Sequence, residues 1–321
     1  MKISIIGGGA MGSIYAALMA GGKNEITLID SWAEHINTIK TKGLKVKGAS
    51  GKRLIQNINA STDINEAKGS GLYIISTKTS QVREVASQLK NFVKDGEQIL
   101  TIQNGLGSGD EVAKYLNPKN IFIGVAEGFG ASVMAPGQVH HNSMKLIRIG
   151  EMIEEDFSRV KELTKIWTKS GFKAKAFEDI NQLVWEKFIC NVTFSGPCTV
   201  FEITLGELMS IPEYWNVALN CMWEAYELGL KKSISFSFDD PVKYVTKFGK
   251  RMPKAKPSML LDHEQKRFSE IGAINGMVVK LGKNMGMATP YNEVVTTIVT
   301  HKENIMTVSY THLTLPTILL V

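Results

Sequence analysis

The sequence has little of what marks several classes of protein. It carries three cysteines in 321 residues, Cys190, Cys198 and Cys221, without C-x-x-C spacing or nearby histidines, which argues against a zinc site or a disulfide framework. No uninterrupted apolar run approaches the roughly 20 residues of a membrane-spanning helix. The opening MKISIIGGG enters a strand and a glycine turn at once, unlike an export signal. We therefore expect reduced thiols, no bound metal, no membrane partner and a cytoplasmic location.

The excess of positive over negative charge is also small, since the formal net charge is +6. This suits an anionic ligand, whereas a nucleic-acid binder concentrates its basic residues and interleaves aromatics. The densest basic stretch, residues 40–53, alternates Leu44 and Val46 with Lys45 and Lys47. That alternation predicts an edge strand whose lysines face water. We expect a small-molecule ligand and no nucleic acid.

The chain is long enough for two domains, and its 44% of hydrophobic residues is ordinary for a globular protein. In the first half, short apolar runs alternate with helical patterns, which is typical of a parallel sheet with crossover helices. Glycine-rich text at 128–150 predicts antiparallel strands that finish this sheet. Strands are predicted at 3–6, 25–29, 72–76, 98–102 and 121–126, and helices at 12–22 and 80–93.

From about residue 180 the pattern is helical throughout, with long helices predicted at 205–233 and 261–286 and another beginning at Pro290. The predicted fold is an α/β Rossmann-type doubly wound sheet domain, residues 1–178, followed by an all-α domain, residues 179–307. The last stretch, residues 308–321, resembles the in-frame translation of a sequencing-library adapter. We treat it as a non-native tail.

A G-x-G-x-x-G fingerprint occupies residues 7–12, formed by Gly7, Gly9 and Gly12. A predicted strand precedes it and a predicted helix follows, which is the context in which such glycines bind a dinucleotide pyrophosphate. We expect Gly8, Ala10 and Met11 to line the same turn. Asp30 ends the next predicted strand, 18 residues after Gly12. A carboxylate there binds the adenosine ribose hydroxyls and repels a 2′-phosphate, so Asp30 favours NADH over NADPH.

Five motifs occur in a fixed order: GGGAMG, STKTSQ, QNGLG, WEKFICN and KPSMLLDHEQKRFSEIGAING. On these motifs the chain resembles the ketopantoate reductase (2-dehydropantoate 2-reductase) family, from residue 1 to about 306. The resemblance implies a Rossmann domain, a helical domain and a substrate cleft between them. It also implies reduction of the ketone of a 2-oxo acid to a 2-hydroxy acid by NAD(P)H, a step of pantothenate biosynthesis.

The resemblance also implies site residues. The family's proton donor matches Lys187, its substrate amide Asn191, its substrate hydroxyl Ser258 and its cofactor-side carboxylate Glu270. We also group Glu270 with the catalytic residues, as a carboxylate that either keeps the lysine charged or holds the ribose. Negative charge that develops on a ketone oxygen requires a cationic proton donor, and a lysine is one.

Other candidates come from position in the predicted elements. Helical spacing puts Asn191 on the face of Lys187, with Ser195 about 80° round it. Asn104 follows a predicted parallel strand, where ligands of open sheets bind, although Asn-Gly is also a turn signal. Lys78 follows another such strand. We expect Asn104 to contact both substrate and cofactor, and Lys78 and Ala131 to contact the cofactor.

Some positions depart from the family pattern. Members that act on ketopantoate often carry asparagines where this chain has Ser195, Leu205 and Ala255, and a basic residue where it has Asp30. Two alternatives therefore stay open: an NAD-dependent D-2-hydroxy acid dehydrogenase, and a dinucleotide-binding regulatory module without catalysis. Apolar helices in the second domain are compatible with a homodimer.

Overall fold

The computed structural model describes residues 1–22 and 24–312, with side chains up to residue 306. The chain divides into two compact units. The first comprises Met1–Gln103 and Gly107–Leu183, and the second comprises Asn104–Leu106 and the chain from Val184 onward. The division therefore falls after residue 183, whereas the sequence analysis predicts it after residue 178.

The first unit is built around a sheet of eight strands. These strands are β1 (Lys2–Ile6), β2 (Glu25–Ile29), β5 (Ile58–Ser61), β6 (Leu72–Ile75), β7 (Gln98–Thr101), β8 (Ile121–Glu127), β11 (Leu146–Glu151) and β12 (Ala174–Ala176). The helices of the unit are α1 (Ala10–Met19), α2 (Ala33–Lys42), α3 (Val82–Leu89), α4 (Ser108–Ala113) and α5 (Phe157–Lys169). The strand order is β12-β11-β8-β7-β6-β1-β2-β5. Strands β1, β2, β5, β6, β7 and β8 are mutually parallel, and α1, α3 and α4 provide crossovers between them.

The predicted Rossmann-type sheet is confirmed, and the five predicted strands lie within two residues of their predicted bounds. These strands were predicted because they are near-continuous apolar runs. Such runs are typical of strands in a sheet covered on both faces, where every residue is buried. Strand β1 lies between β6 and β2, so the order reverses there. In open α/β sheets, this switch point is where ligands bind, beyond the carboxyl ends of the strands.

Two predictions about the sheet are wrong. Only β11 of the region 128–150 finishes the main sheet, antiparallel to β8. The strands β9 (Gly130–Ala135) and β10 (Gln138–Ser143) instead form a second sheet with β3 (Leu44–Gly48) and β4 (Arg53–Ile55), in the order β4-β3-β10-β9. Strand β3 is therefore internal and not an edge strand, although Lys45 and Lys47 are exposed as predicted. The pairing of β3 with β10 joins segments far apart in the chain, which local alternation cannot reveal.

The second unit is helical. Its helices are α6 (Ile180–Phe201), whose first turn belongs to the first unit, α7 (Leu205–Ser210), α8 (Pro212–Lys231), α9 (Pro241–Lys250), α10 (Ser258–Glu264), α11 (Asn275–Asn284) and α12 (Pro290–His312). Pro212, Pro241 and Pro290 each open a helix, where proline loses no hydrogen bond. None of the helices in the described part of the chain is long and apolar enough to cross a membrane.

Both long helices predicted in this unit are interrupted. The predicted helix 205–233 breaks at Ile211, before Pro212. The predicted helix 261–286 is two helices, α10 and α11, because residues 265–274 leave helical geometry except for a 3-10 turn at Ile271–Ala273. In the predicted tail, α12 continues to His312, and residues 313–321 lie outside the described residues.

A buried carboxylate holds the start of α12. Glu224 of α8 accepts hydrogen bonds from the backbone N–H groups of Tyr291 (2.8 Å) and Asn292 (3.0 Å), and from the Asn292 amide. These N–H groups have no partner within the helix, because the first turn of a helix leaves its donors free. Glu224 therefore caps α12 from a neighbouring helix.

Replacing Glu224 by Ala leaves these buried donors without an acceptor, so we expect the free energy of unfolding to fall by about 2–4 kcal/mol. The control is Glu227→Ala, an exposed glutamate on the same helix, which should change it by less than about 0.5 kcal/mol. Urea unfolding measures both, and equal losses in the two variants would contradict the capping role.

Candidate active site

The glycine turn follows β1 at the switch point of the sheet. Gly7 has a φ of +102°, and a Cβ added there would lie 2.5 Å from the backbone nitrogen of Thr77. Its N–H donates to the carbonyl of Ile29 at the end of β2 (2.8 Å). Both the left-handed backbone and the close approach require glycine at this position.

The other two fingerprint glycines differ in what surrounds them. A Cβ added to Gly12 would lie 1.9 Å from the carbonyl oxygen of Gly7, so packing of helix α1 on the turn requires this glycine. At Gly9, apart from the glycine itself and its two chain neighbours, no heavy atom of the described residues lies within 4 Å of an added Cβ. The fold itself therefore does not require glycine at position 9. A dinucleotide whose pyrophosphate approaches the backbone does, so the turn fits such a cofactor.

Two serines that the sequence analysis missed fix the carbonyls of this turn. Ser76, just after β6, donates its hydroxyl to the Gly7 carbonyl (2.8 Å), and Ser13 of α1 donates to the Gly8 carbonyl (2.7 Å). Ser13 Oγ also lies 3.1 Å from Nε2 of the buried His35. Burial lowers the pKa of His35, against the opposing effect of the Asp30 carboxylate. A neutral imidazole therefore supports the turn at neutral pH.

Asp30 lies directly after β2, beside the turn. A Cβ added to Gly8 would lie 3.1 Å from the Cβ of Asp30. The carboxylate is half-buried, and its Oδ1 accepts from the backbone N–H of Trp32 at 2.8 Å. The structure thus places Asp30 beside the glycine turn, and its role in binding a ribose stays a prediction.

The remaining cofactor candidates of the first unit lie on different elements. Ala10 and Met11 open α1 and are half-buried, and Gly8 is buried. Lys78 is exposed and precedes the 3-10 turn Thr79–Gln81, which follows β6. Ala131 is half-buried in β9, paired with His141 of β10. Its strand belongs to the second sheet and packs against α1, the helix that follows the glycine turn.

The second unit brings together three of the predicted residues. Lys187, half-buried on α6, donates from Nζ to Oδ1 of Asn104 at 2.8 Å. The amide nitrogen of Asn104 lies 3.5 Å from Oε2 of Glu270, a long hydrogen bond. An ammonium, an amide and a carboxylate thus form a chain in which the amide joins the two charged groups. The sequence predicts each residue separately but not this contact, because Asn104 and Lys187 are far apart in the chain.

Close backbone packing fixes Asn104. The next residue, Gly105, has a φ of +84°, and an added Cβ would lie 2.2 Å from the carbonyl oxygen of Ala273. That carbonyl accepts a hydrogen bond from the N–H of Leu106 at 3.2 Å. The Asn-Gly pair is therefore a turn, as its residue types indicate, and the turn also presents the Asn104 side chain to Lys187.

The predicted substrate-binding residues lie elsewhere in the second unit. Asn191 is half-buried one turn after Lys187 on α6, and Ser195 is 4% exposed a further turn along. Ser258 is the exposed first residue of α10. Two of the positions that depart from the family pattern are neighbours, since the N–H of the buried Leu205 donates to the carbonyl of Ala255 at 3.1 Å.

A Rossmann-type sheet with a glycine turn, followed by a helical unit that holds a lysine, an amide and a carboxylate, is the architecture of a two-domain nicotinamide-dependent oxidoreductase. Residues 3–154 match the family model described as "Ketopantoate reductase PanE/ApbA". Residues 179–303 match the model described as "Ketopantoate reductase PanE/ApbA C terminal". The chain therefore belongs to the ketopantoate reductase PanE/ApbA family, as its motifs predict.

Individual relatives are distant but match over nearly their whole length. The 2-dehydropantoate 2-reductase of Lactococcus lactis is 27% identical over 314 residues, which cover 95% of this chain and 99% of that protein. The 2-dehydropantoate 2-reductase of Pyrococcus horikoshii is 26% identical over 305 residues, 95% of this chain and 98% of that protein.

Solved structures of the same fold include a D-mandelate dehydrogenase with NADH and anilino(oxo)acetate. It matches with a TM-score of 0.87 at 26% identity, covering 96% of this chain and 99% of its own. The 2-dehydropantoate 2-reductase of Geobacter metallireducens matches with a TM-score of 0.84 at 26% identity, covering 94% and 99% of the two chains.

The contrast between Gly9 and Gly12 predicts different results for the same substitution. Gly12→Ala should destabilise the first unit strongly, because its Cβ would collide with the Gly7 carbonyl. Gly9→Ala should leave the thermal midpoint nearly unchanged and weaken NADH binding by about tenfold or more, a loss of about 1.4 kcal/mol. Thermal denaturation and NADH fluorescence titration measure the two effects. Unimpaired binding by Gly9→Ala would show that no pyrophosphate approaches this turn.

Proposed function

We propose that this protein reduces the ketone of ketopantoate, or of a similar branched 2-oxo acid, to the 2-hydroxy acid, as a 2-dehydropantoate 2-reductase in pantothenate biosynthesis. The observation that carries the proposal is the Lys187 ammonium, half-buried on a mostly apolar helix and hydrogen-bonded to Asn104. The homodimer and the cytoplasmic location stay predictions.

The proposed mechanism assigns Lys187 the proton. A bound reduced nicotinamide cofactor supplies the hydride for the ketone carbon. Lys187 stabilises the negative charge that develops on the ketone oxygen and transfers an Nζ proton to it, which leaves a neutral amine that solvent reprotonates. A lysine side chain has four rotatable bonds and loses much rotamer freedom when it is held in one conformation. The hydrogen bond to Asn104 restricts the conformations of Lys187 in this way.

Glu270 and the polar residues of α6 have supporting roles in this proposal. Glu270 lies beyond Asn104 and orients the amide, so that its oxygen faces Lys187 and its nitrogen faces the carboxylate. We assign to Asn191, Ser195 and Ser258 the hydrogen bonds to the substrate carboxylate and hydroxyl groups. The glycine turn, Asp30 and Lys78 are assigned to the cofactor.

A second candidate within the same chemistry is an NAD-dependent D-2-hydroxy acid dehydrogenase that acts on a less polar substrate. The likeness to a D-mandelate dehydrogenase structure containing NADH favours it. So do the apolar Leu205 and Ala255, which lie together where ketopantoate-reducing relatives often carry amides. A regulatory module without catalysis is disfavoured, since dinucleotide binding alone does not require the Lys187–Asn104–Glu270 chain.

Replacing Lys187 by Ala should lower kcat by roughly 10²- to 10⁴-fold, because the proton donor is lost, and should leave the Kd for the cofactor nearly unchanged. Lys187→Arg should also be poorly active, since a guanidinium keeps its charge but does not give up a proton. The matched control is Lys231→Ala, an exposed lysine at the end of α8. Steady-state reduction of ketopantoate measures all three. Full turnover by Lys187→Ala would remove the lysine from the mechanism.

Coenzyme choice is expected to depend on Asp30, whose negative charge disfavours a 2′-phosphate. We expect kcat/KM with NADH to exceed that with NADPH by about tenfold or more, and Asp30→Ser to reduce this ratio. The same assays with ketopantoate, 2-oxoisovalerate and phenylglyoxylate compare the two candidate functions. A tenfold preference for NADPH would show that the reading of Asp30 is wrong.

A further inference from the structure

A buried carboxylate outside the predicted site organises the segment that carries Glu270. Glu303 of α12 is 6% exposed, and its Oε1 receives two hydrogen bonds from Ser269: one from the backbone N–H at 2.7 Å and one from the hydroxyl at 2.6 Å. Nε2 of the buried His263 lies 3.2 Å from the same oxygen. Three polar groups thus converge on one atom of Glu303.

The residue held most tightly, Ser269, directly precedes Glu270. Its hydroxyl oxygen also accepts from the backbone N–H of Ile271 at 3.3 Å, so Ser269 and Glu303 fix the chain on both sides of Glu270. The 3-10 turn Ile271–Ala273 then begins, and its last carbonyl receives the N–H of Leu106. Glu303 is therefore connected through one short segment to Glu270 and to the turn that carries the site amide, Asn104.

The geometry of this segment is not what its local sequence favours. Lys266 has a φ of +53°, in the left-handed region that costs a residue with a side chain about 1–2 kcal/mol. The turn that contains Lys266 is closed by Arg267. The backbone N–H of Arg267 donates to the Asp262 carbonyl (2.8 Å), and its guanidinium donates to the Asp262 carboxylate. Such a conformation persists where surrounding contacts hold it, and such places cluster at functional sites.

We propose that Glu303 is a positioning residue for the active site: through Ser269 it fixes Glu270 and, through Ala273, the turn that presents Asn104 to Lys187. The catalytic part of this proposal rests on the proposed function. The structural part, that one carboxylate of α12 orders residues 269–273 and the Leu106 amide, does not.

Hydrogen–deuterium exchange on the protein without ligands tests the structural part. In Glu303→Ala, the amides of residues 269–273 and of Leu106 should exchange at least about tenfold faster, because their acceptor or its support is lost. Amides of α11 and of the first unit should be unaffected. Unchanged exchange at 269–273, or equally faster exchange across the whole second unit, overturns the proposal.

Steady-state kinetics tests the catalytic part. Glu303→Ala should lower kcat by about tenfold or more with a cofactor Kd within about twofold of wild type, whereas Glu303→Gln, which keeps an oxygen acceptor, should recover part of kcat. In a Glu270→Gln background, Glu303→Ala should lower kcat by no more than about threefold further, since residues that act through one another are not additive. Equal losses in both backgrounds contradict a role through Glu270.

The matched control is Glu293→Ala, an exposed glutamate on the same helix, which should leave both kcat and exchange at 269–273 unchanged. If Glu303→Ala does not fold, Ser269→Ala removes one of the three groups and should show the same pattern more weakly, and its absence there counts against the proposal. A wild-type protein that reduces no 2-oxo acid overturns the proposed function, while the exchange result still decides whether Glu303 orders the segment.

Discussion

The candidate site depends on one close backbone approach, that of Gly105 to the carbonyl of Ala273. Any side chain at position 105 would collide with that carbonyl, and the Leu106 N–H would lose its acceptor. With glycine there, Asn104 lies between a cation from α6 and a carboxylate from the segment before α11. A primary amide suits this position because it offers an oxygen to Lys187 and an N–H to Glu270, so both charged groups meet a complementary dipole.

Buried charges are stable only when they are hydrogen-bonded, and two buried carboxylates of the second unit are paired in this way. Glu224 accepts from the free N–H groups at the start of α12, and Glu303 accepts from the N–H and the hydroxyl of Ser269. Glu224 contacts α12, and Glu303 belongs to it. This helix therefore takes part in the buried polar contacts of the unit as well as in its hydrophobic core. The chain between α10 and α11 does not form a continuous helix. Its backbone N–H groups donate to Glu303 and within turns, whereas in a continuous helix they would donate to carbonyls of the same helix.

The sequence predicted the elements of the fold that have a local signal. Strands β1, β2, β6, β7 and β8 are apolar runs of the right length, and the glycines of the turn have the G-x-G-x-x-G spacing of a dinucleotide-binding turn. The second sheet was missed because its pairing of β3 with β10 is non-local, and the break at residues 265–274 was missed because LDHEQKRFSEIGAING keeps an acceptable helical pattern. In the candidate site, residue types and the family motifs gave Lys187, Asn104 and Glu270. Their contact, and the dependence of Glu270 on Glu303, needed tertiary structure.

Substrate choice within the family follows from an asymmetry in polar recognition. A site with amides that bind a substrate hydroxyl rejects substrates without one, since its buried polar groups are then left unpaired, whereas an apolar site rejects a hydroxyl only weakly. Leu205 and Ala255 make this part of the chain apolar, and Ser195 is the smallest hydroxyl that a helix can offer. Under the proposed function, such a set would pair fewer groups of ketopantoate than amides would, and would lose nothing with a substrate whose side chain is a hydrocarbon. The ketone and carboxylate are common to every 2-oxo acid, so we infer that discrimination between substrates falls to positions such as these and not to Lys187.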